Sequence, residues 1–208
     1  MPEGDIVRRT ADRFELAIGG KVLVRSDLRW PSAATADLVG RTVLETSSYG
    51  KHLLTRLDDG LTLHTHLRMD GYWRIWRTGT PAAAGRSPNV RVVLATAEWT
   101  AVGHHLGMLD LVRTRDERTL IGHLGPDILT DKVDVDEILR RWAARGSTPV
   151  AEVMLDQTVV AGIGTMFAAE SLFAEQLWPW TPADQVPDAS RLLAVAHVPP
   201  SGFVPRSH

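Results

Sequence analysis

The residues with the most pointed chemistry stand at the start of the chain, Met1-Pro2-Glu3-Gly4-Asp5. With Met1 removed, Pro2 becomes a terminal secondary amine with the Glu3 carboxyl beside it. Such an amine attacks an aldehyde-level carbon and loses water to give an iminium, a strong electron sink, as lysine amines do elsewhere. A free α-amino group titrates near ~7.7–8, so a fair share is neutral and nucleophilic at cellular pH. Glu3 then offers a carboxyl for proton transfer. The bland alternative is that Pro2 is an ordinary chain start. Lys51, after Gly50, is a second candidate cation, with an exposed turn lysine as its alternative. His64 and His66 have metal-like spacing on one strand face, yet no third ligand is evident, so they read as polar-face histidines.

These groups need elements to hold them. Residues 5–18 predict a helix with Val7, Ala11, Phe14 and Ile18 on one face and Gly19-Gly20 behind it. Its positive end would sit beside the Pro2 amine and favour the neutral form. Strand-like segments follow at 21–25, 41–47 and 52–57, then a hairpin loop at Asp58-Asp59-Gly60. The next strand alternates, with Leu61, Leu63, Thr65, Leu67 and Met69 on one side and Thr62, His64, His66 and Arg68 on the other. Further strands are expected at 72–76, 89–95 and 98–102, with a mobile loop at 79–88. Residues 1–125 therefore read as a β-rich sandwich with one N-terminal helix.

After Gly125-Pro126 the apolar period becomes helical. Residues 136–145 predict a helix stopped by Gly146, and Thr148-Pro149 caps another that runs to about Gln157. Gly162-Ile163-Gly164-Thr165 opens a third helix at 166–176, and a fourth begins at 191–197. Glycines there let a backbone approach an anion, and the Thr165 helix end points its N–H groups outward. A tight turn before an ordinary capped helix explains the same spacing. Trp178-Pro179-Trp180 reads as a packing cap on the helical domain.

The chain has 208 residues, 44% hydrophobic, with no cysteine. That length allows one or two domains, and without cysteine there is neither a disulfide nor a cysteine-bound zinc. No apolar run approaches membrane-spanning length, so a soluble cytoplasmic protein is expected. The net charge of −2 is unevenly placed. Between Arg145 and Arg191 there is no Lys or Arg, while Glu152, Asp156, Glu170, Glu175, Asp184 and Asp188 lie there. Counterion release by Lys and Arg usually supplies most non-specific DNA affinity. Any nucleic-acid binding by this stretch is therefore expected to be weak and shallowly salt-dependent.

Five segments occur in one order: MPEGD at 1–5, YGKHLL at 49–54, THLRMDGYW at 65–73, HLGPD at 123–127 and LDQTVVAGIGT at 155–165. Together they resemble the formamidopyrimidine-DNA glycosylase/endonuclease VIII family, on its endonuclease VIII side and notably its actinobacterial members. The resemblance runs from Met1 to about His197. It implies an α+β fold: an N-terminal catalytic β-sandwich domain at 1–125, a helix-two-turn-helix DNA-binding domain at 126–197, and an irregular, truncated tail at 198–208.

The implied activity is that of a bifunctional DNA glycosylase/AP lyase of base excision repair, excising oxidised bases, pyrimidines favoured. The alternative is a truncated relative that binds damaged or abasic DNA with little or no catalysis. Carried over by motif, Pro2 is the nucleophile, Glu3 the proton-transfer carboxyl, and Lys51 the cation on the flanking phosphate that also takes part in proton transfer during strand cleavage. Arg68 and Met69 enter the duplex, where an apolar wedge beside a cation fills the gap of an everted base; core packing explains Met69 nearly as well. His123 reaches a phosphate or serves as a domain junction. Gln157, Gly162, Gly164 and Thr165 belong to the DNA-contacting module, with Thr165 where the family commonly has Asn. The expected partner is double-stranded DNA with a damaged base or abasic site, bound by a monomer associated with the bacterial nucleoid. No cofactor is expected, since the family's zinc finger is absent.

Overall fold

The computed structural model describes residues 2–196. The chain divides after His123 into two compact units. Each has its own apolar core.

The first unit opens with α1 (Gly4–Ile18), one residue longer than the apolar stripe predicts. Val7, Ala11, Phe14 and Ile18 are buried together with Ala17. Phe14 meets the Trp73 ring edge-on at 4.8 Å, and the Glu15 carboxylate accepts the Thr46 amide. Gly19 ends the helix because a Cβ there would lie 2.6 Å from the Glu15 carbonyl oxygen.

Eight strands follow: β1 (Arg25–Leu28), β2 (Val43–Tyr49), β3 (His52–Leu57), β4 (Leu61–His66), β5 (Tyr72–Arg77), β6 (Val90–Ala95), β7 (Trp99–His104) and β8 (Met108–Arg113). They form two four-stranded sheets, ordered β1-β6-β7-β5 and β2-β3-β4-β8, with antiparallel pairing throughout. This is the α+β arrangement with a β-sandwich that the pattern predicts.

Three local expectations are corrected. Residues 21–24 are not a strand; β1 begins only at Arg25, and before it only Val22 pairs, in an isolated bridge with Thr42. Leu23 bonds to Arg41 and Val24 to Ala95, so this segment changes hydrogen-bond partner from one sheet to the other. The expected mobile loop at 79–88 holds a 3-10 turn, Ala82–Ala84, with Ala83 buried and the Ala84 carbonyl accepting from Arg25. The β4 alternation stops at His66, and Arg68 turns to a φ of 55°.

Pairing register explains how the second sheet uses both faces. Residues opposite one another in an antiparallel pair share a face. Leu53, Leu57, Leu63 and Leu109 point into the core. The other side carries His52 opposite His66, Leu54 opposite His64, Arg56 opposite Thr62, and His64 opposite Asp110. Thr62 and His64 are buried there too, so their polar atoms need partners. Arg56 grips Glu117 through two bonds of 2.7 and 2.8 Å, and Thr62 Oγ1 donates to the same carboxylate at 2.6 Å. Glu117 precedes the short α2 (Arg118–Ile121), so this ion pair ties that segment over the outer face. Burial, with His64, His66, His123 and Arg68 around it, pushes His52 down to about 3. Burial and the charges of Arg68, His64 and Lys51 bring His66 to about 4.

The second unit is helical: α3 (Val135–Ala143), α4 (Val150–Leu155), α5 (Thr165–Ala174) and α6 (Ala189–Ala196). Asp134 caps α3 by accepting the Glu137 amide, which starts it one residue before the expected 136. Thr148 does not cap α4; its hydroxyl donates to the Arg145 carbonyl, and Pro149 holds the cap position. The Asp156 carboxylate takes both the amide and hydroxyl of Thr158, ending α4 before Gln157. Asp188 accepts the Arg191 amide, so α6 begins earlier than 191. Trp142, Ile138, Met154, Val160, Leu172 and Leu193 fill the core. The expected tail at 198–208 lies outside the described residues.

Two stability tests follow. Phe14→Ala is expected to cost about 3–5 kcal/mol in urea unfolding, and Leu16→Ala, on the exposed side of α1, less than about 0.5. The second concerns acid. His52 and His66 have folded pKa values below the unfolded 6.5. The unfolded chain thus binds protons first as pH falls, and stability present above pH 6.5 is lost toward pH 3–4, by about 1.4 kcal/mol per pH unit per group at most. A His52→Gln/His66→Gln double variant is expected to flatten that limb in denaturant titrations run from pH 7 to 4.

Candidate active site

Pro2 and Glu3 lie immediately before α1, with Pro2 half-buried. Glu3 is the helix cap residue in extended geometry, and its carbonyl accepts the Ile6 and Val7 amides. Its side chain is enclosed: Glu3 is 5% exposed. Gly50 takes a φ of 56° in the tight turn joining β2 to β3, a conformation that suits glycine. That turn delivers Lys51, also 5% exposed, so the reading of an exposed turn lysine is set aside. Burial lowers the Lys51 pKa below the ordinary lysine value, while the Glu3 carboxylate pulls the other way. The two buried side chains therefore share one electrostatic environment. A buried lysine whose proton is loosened is suited to accept and return one.

The β4–β5 connection places the next pair. The Gly71 amide bonds to the Leu67 carbonyl at 2.9 Å; a Cβ at Gly71 would lie 2.3 Å from that oxygen. This turn throws Arg68, Met69 and Asp70 outward. Met69 is 64% exposed, which removes core packing as its explanation. The Arg68 side chain lies across Gly107, where a Cβ would meet its Cγ at 2.1 Å. The Arg68 amide donates to His66 Nδ1 at 2.9 Å. His123, exposed at the end of the first unit, is near enough for its charge to act on His52.

In the second unit the turn between α4 and α5 is braced from inside. The Gln157 carboxamide donates to the Leu155 and Ile163 carbonyls and accepts the Gly162 amide. That side chain shapes the turn. Gly162 has a φ of 101° and lies against Asp127 and Ile128, so a side chain would be strained and crowded there. Gly164 stands at the cap of α5 with no side-chain cap, and Thr165 and Met166 are exposed. Two arginines of the preceding segment hold the turn: Arg141 donates to the Thr158 carbonyl at 2.7 Å, and Arg145 pairs with Asp156 at 2.8 Å.

Pro2, Glu3 and Lys51 thus belong to one corner of the first unit, and Gln157, Gly162, Gly164 and Thr165 to one turn of the second. Sequence reading missed Asp110, the partner of His64, because β8 gave no recognised alternation. It also missed His52, although His52 stands in the YGKHLL segment itself. Among the described residues no three His, Asp or Glu side chains converge on a point that would hold a metal ion.

The chain is similar in sequence and fold to known proteins. The formamidopyrimidine-DNA glycosylase N-terminal domain model matches residues 1–120, and the corresponding H2TH domain model residues 124–198. The chain is 45% identical to the probable endonuclease 8 2 of Streptomyces coelicolor, over 94% of this chain and 72% of the relative. It is 37% identical to the DNA-(apurinic or apyrimidinic site) lyase Nei2 of Mycolicibacterium smegmatis, over 93% of this chain and 74% of that one. In fold it is similar to Lactococcus lactis Fpg non-covalently bound to DNA containing an AP site, with a TM-score of 0.77, 23% identity, and coverage of 94% and 76%. The chain belongs to the formamidopyrimidine-DNA glycosylase/endonuclease VIII family.

Proposed function

We propose that the protein is a bifunctional DNA glycosylase/AP lyase of the endonuclease VIII type, acting on double-stranded DNA with an oxidised base or an abasic site. The observation that carries the reading is the buried Lys51 sharing an environment with the buried Glu3, next to Pro2. The names of the relatives in Streptomyces and Mycolicibacterium support it. Pyrimidine lesions are the favoured substrate, a monomer the favoured state and the cytoplasm the favoured place. Among the described residues no helix is long and apolar enough to cross a membrane.

Chemistry on a base requires that it leave the stack, and the exposed Met69 beside Arg68 fits the space an everted nucleotide vacates. With Met1 removed, the Pro2 nitrogen attacks the deoxyribose anomeric carbon as the bond to the base breaks. Glu3 delivers a proton to the ring oxygen, the sugar opens, and an iminium joins Pro2 to the DNA. The iminium acidifies the adjacent C2′. Neutral Lys51 takes that proton, the C3′–O bond breaks, and the 3′-phosphate leaves. Water then frees Pro2. In the second unit the α5 start, reached through Gly162 and Gly164, suits a DNA phosphate, with Thr165 adding a hydroxyl.

Two outcomes test this. With an unblocked chain start, Pro2→Gly is expected to lose most of the borohydride-trapped adduct on an abasic-site duplex. Undiminished trapping would overturn the assignment, and a parent that binds the duplex without any adduct would mark a pure binder. The second outcome is a shallow salt dependence. Arg140, Arg141, Arg145 and Arg191 of the second unit are all ion-paired. The slope of log K against log salt is expected to be no steeper than about −4, corresponding to roughly four neutralised phosphates.

A further inference from the structure

β5 is an edge strand: among the described residues it pairs with β7 alone and ends the order β1-β6-β7-β5. Every second residue of such a strand turns its amide and carbonyl away from the sheet. A cavity of about 370 Å³ lies beside this edge. Four consecutive β5 residues, Trp73, Arg74, Ile75 and Trp76, line it. Successive side chains of a strand point to opposite faces, so a cavity that touches all four runs along the edge and not over one face. Its other wall is α1, through Arg13 and Leu16. Four strand residues span roughly 13 Å, room for about four residues of an extended chain. Leu16 is 80% and Trp76 40% exposed, an apolar lining open to solvent.

The side-chain groups left without partners around this groove are donors. On the same two elements Arg9 pairs with Asp5 and Arg77 with Glu98, whereas Arg13 and Arg74 form no ion pair among the described residues. The Arg74 guanidinium rests 5.5 Å from the centre of the Tyr72 ring, a cation–π contact that holds it in place. The buried Trp73 indole N–H meets no acceptor, a rare state for a buried donor. We propose that the groove is a docking site for an acidic peptide segment of another protein, which adds to the β5 edge as an extended strand and lays one large apolar side chain against Leu16 and Trp76. Main-chain bonds along the edge give such a complex its register, and the two arginines select its charge. A nucleic-acid strand brings acceptors but no N–H groups along its backbone, so it would leave the outward β5 carbonyls unmet. A second copy of β5 (YWRIWR) brings two arginines and no carboxylate, and like charges across a strand pair repel. The arginines that keep β5 from pairing with itself therefore admit an acidic strand.

The test uses the isotope-labelled full chain, followed by amide NMR, and a panel of hexapeptides made of Glu and Asp except for one Leu, Ile, Phe or Trp. At least one acidic member is expected to shift the β5 amides and to slow hydrogen exchange at every second one of them. The same peptide with Lys at each acidic position is expected to bind about ten-fold or more weakly. Arg13→Glu/Arg74→Glu and, separately, Leu16→Ser are each expected to weaken the acidic peptide by about ten-fold. All three positions are exposed, so parental melting curves show that the loss is not one of folding. No shift of the β5 amides by any acidic member, equal affinity for the lysine peptide, or unchanged binding by Arg13→Glu/Arg74→Glu would overturn the proposal. It also fails if oligothymidylate shifts the same amides at lower concentration than every peptide. The same holds if those amides shift on dilution alone, which would make a second copy the occupant.

Discussion

A lysine and a glutamate withdrawn from water into one shared environment form the constraint on which the first unit depends. Removing charges from water is expensive, and mutual attraction repays it only when geometry is good. Such a pair is weak evidence for stability, because apolar residues of similar size often serve as well. Here the two effects act on Lys51 in opposite directions, burial loosening its proton and Glu3 holding it. The result is an amine whose proton is held less tightly than that of an ordinary lysine. That shift is in the direction a proton-transfer group needs, and a solvated surface lysine lacks it.

Keeping that balance requires the start of α1 and the β2–β3 turn to stay in register. Both are fastened at a distance from the chemistry. Phe14 against Trp73 seats α1 on the first sheet, and Glu15 bonds to the Thr46 amide of β2 in the second. The turn itself hangs on a β2–β3 ladder that runs without irregularity from Glu45 to Tyr49. The outer face of the same ladder carries polar side chains that are nonetheless buried. Each of Arg56, Thr62 and His64 has a charge-assisted partner there, Glu117 or Asp110. Rigid polar networks of this kind resist sliding, since a one-residue slip would orphan every member.

What the sequence discloses depends on whether the signal is local. The α1 stripe, the Asp58-Asp59-Gly60 loop and the helical period after Gly125 are short-range patterns, and the structure follows them. Pro2, Glu3 and Lys51 stand out as candidates only through motifs that lie far apart but in fixed order. Burial of Lys51 was not, because an isolated Gly-Lys in a turn looks the same whether or not another element covers it. The 21–25 segment has strand composition, yet residues 21–24 bond first toward β2 and then to Ala95 without forming a ladder, and only Arg25 enters one, as the start of β1. Met69 fits the alternation of β4 on paper, but the Leu67–Gly71 turn ends the period three residues earlier. Asp110 was invisible as a partner because its role exists only once β8 lies beside β4.

The second unit raises a different problem, that of an acidic module offered to a polyanion. Its arginines do not relieve the charge, since Arg141 and Arg145 face inward to hold the Asp156–Thr158 turn and Arg191 is taken by Glu175. Those bonds do, however, fix where the backbone of the following turn points. Gln157 locks the same turn from the other side, and Gly162 lets it pass close to Asp127. Cations near a phosphate give affinity that salt erodes, whereas a preordered helix start gives direction with little long-range pull. An arrangement that uses its arginines as internal braces therefore favours alignment over grip. Within the first unit, by contrast, Arg68 projects outward from its turn beside the exposed Met69, so on the proposed reading the cation that would meet DNA sits beside the residue that would act as a wedge. Affinity would then be concentrated where the helix is distorted, and a duplex without a lesion would gain little from binding.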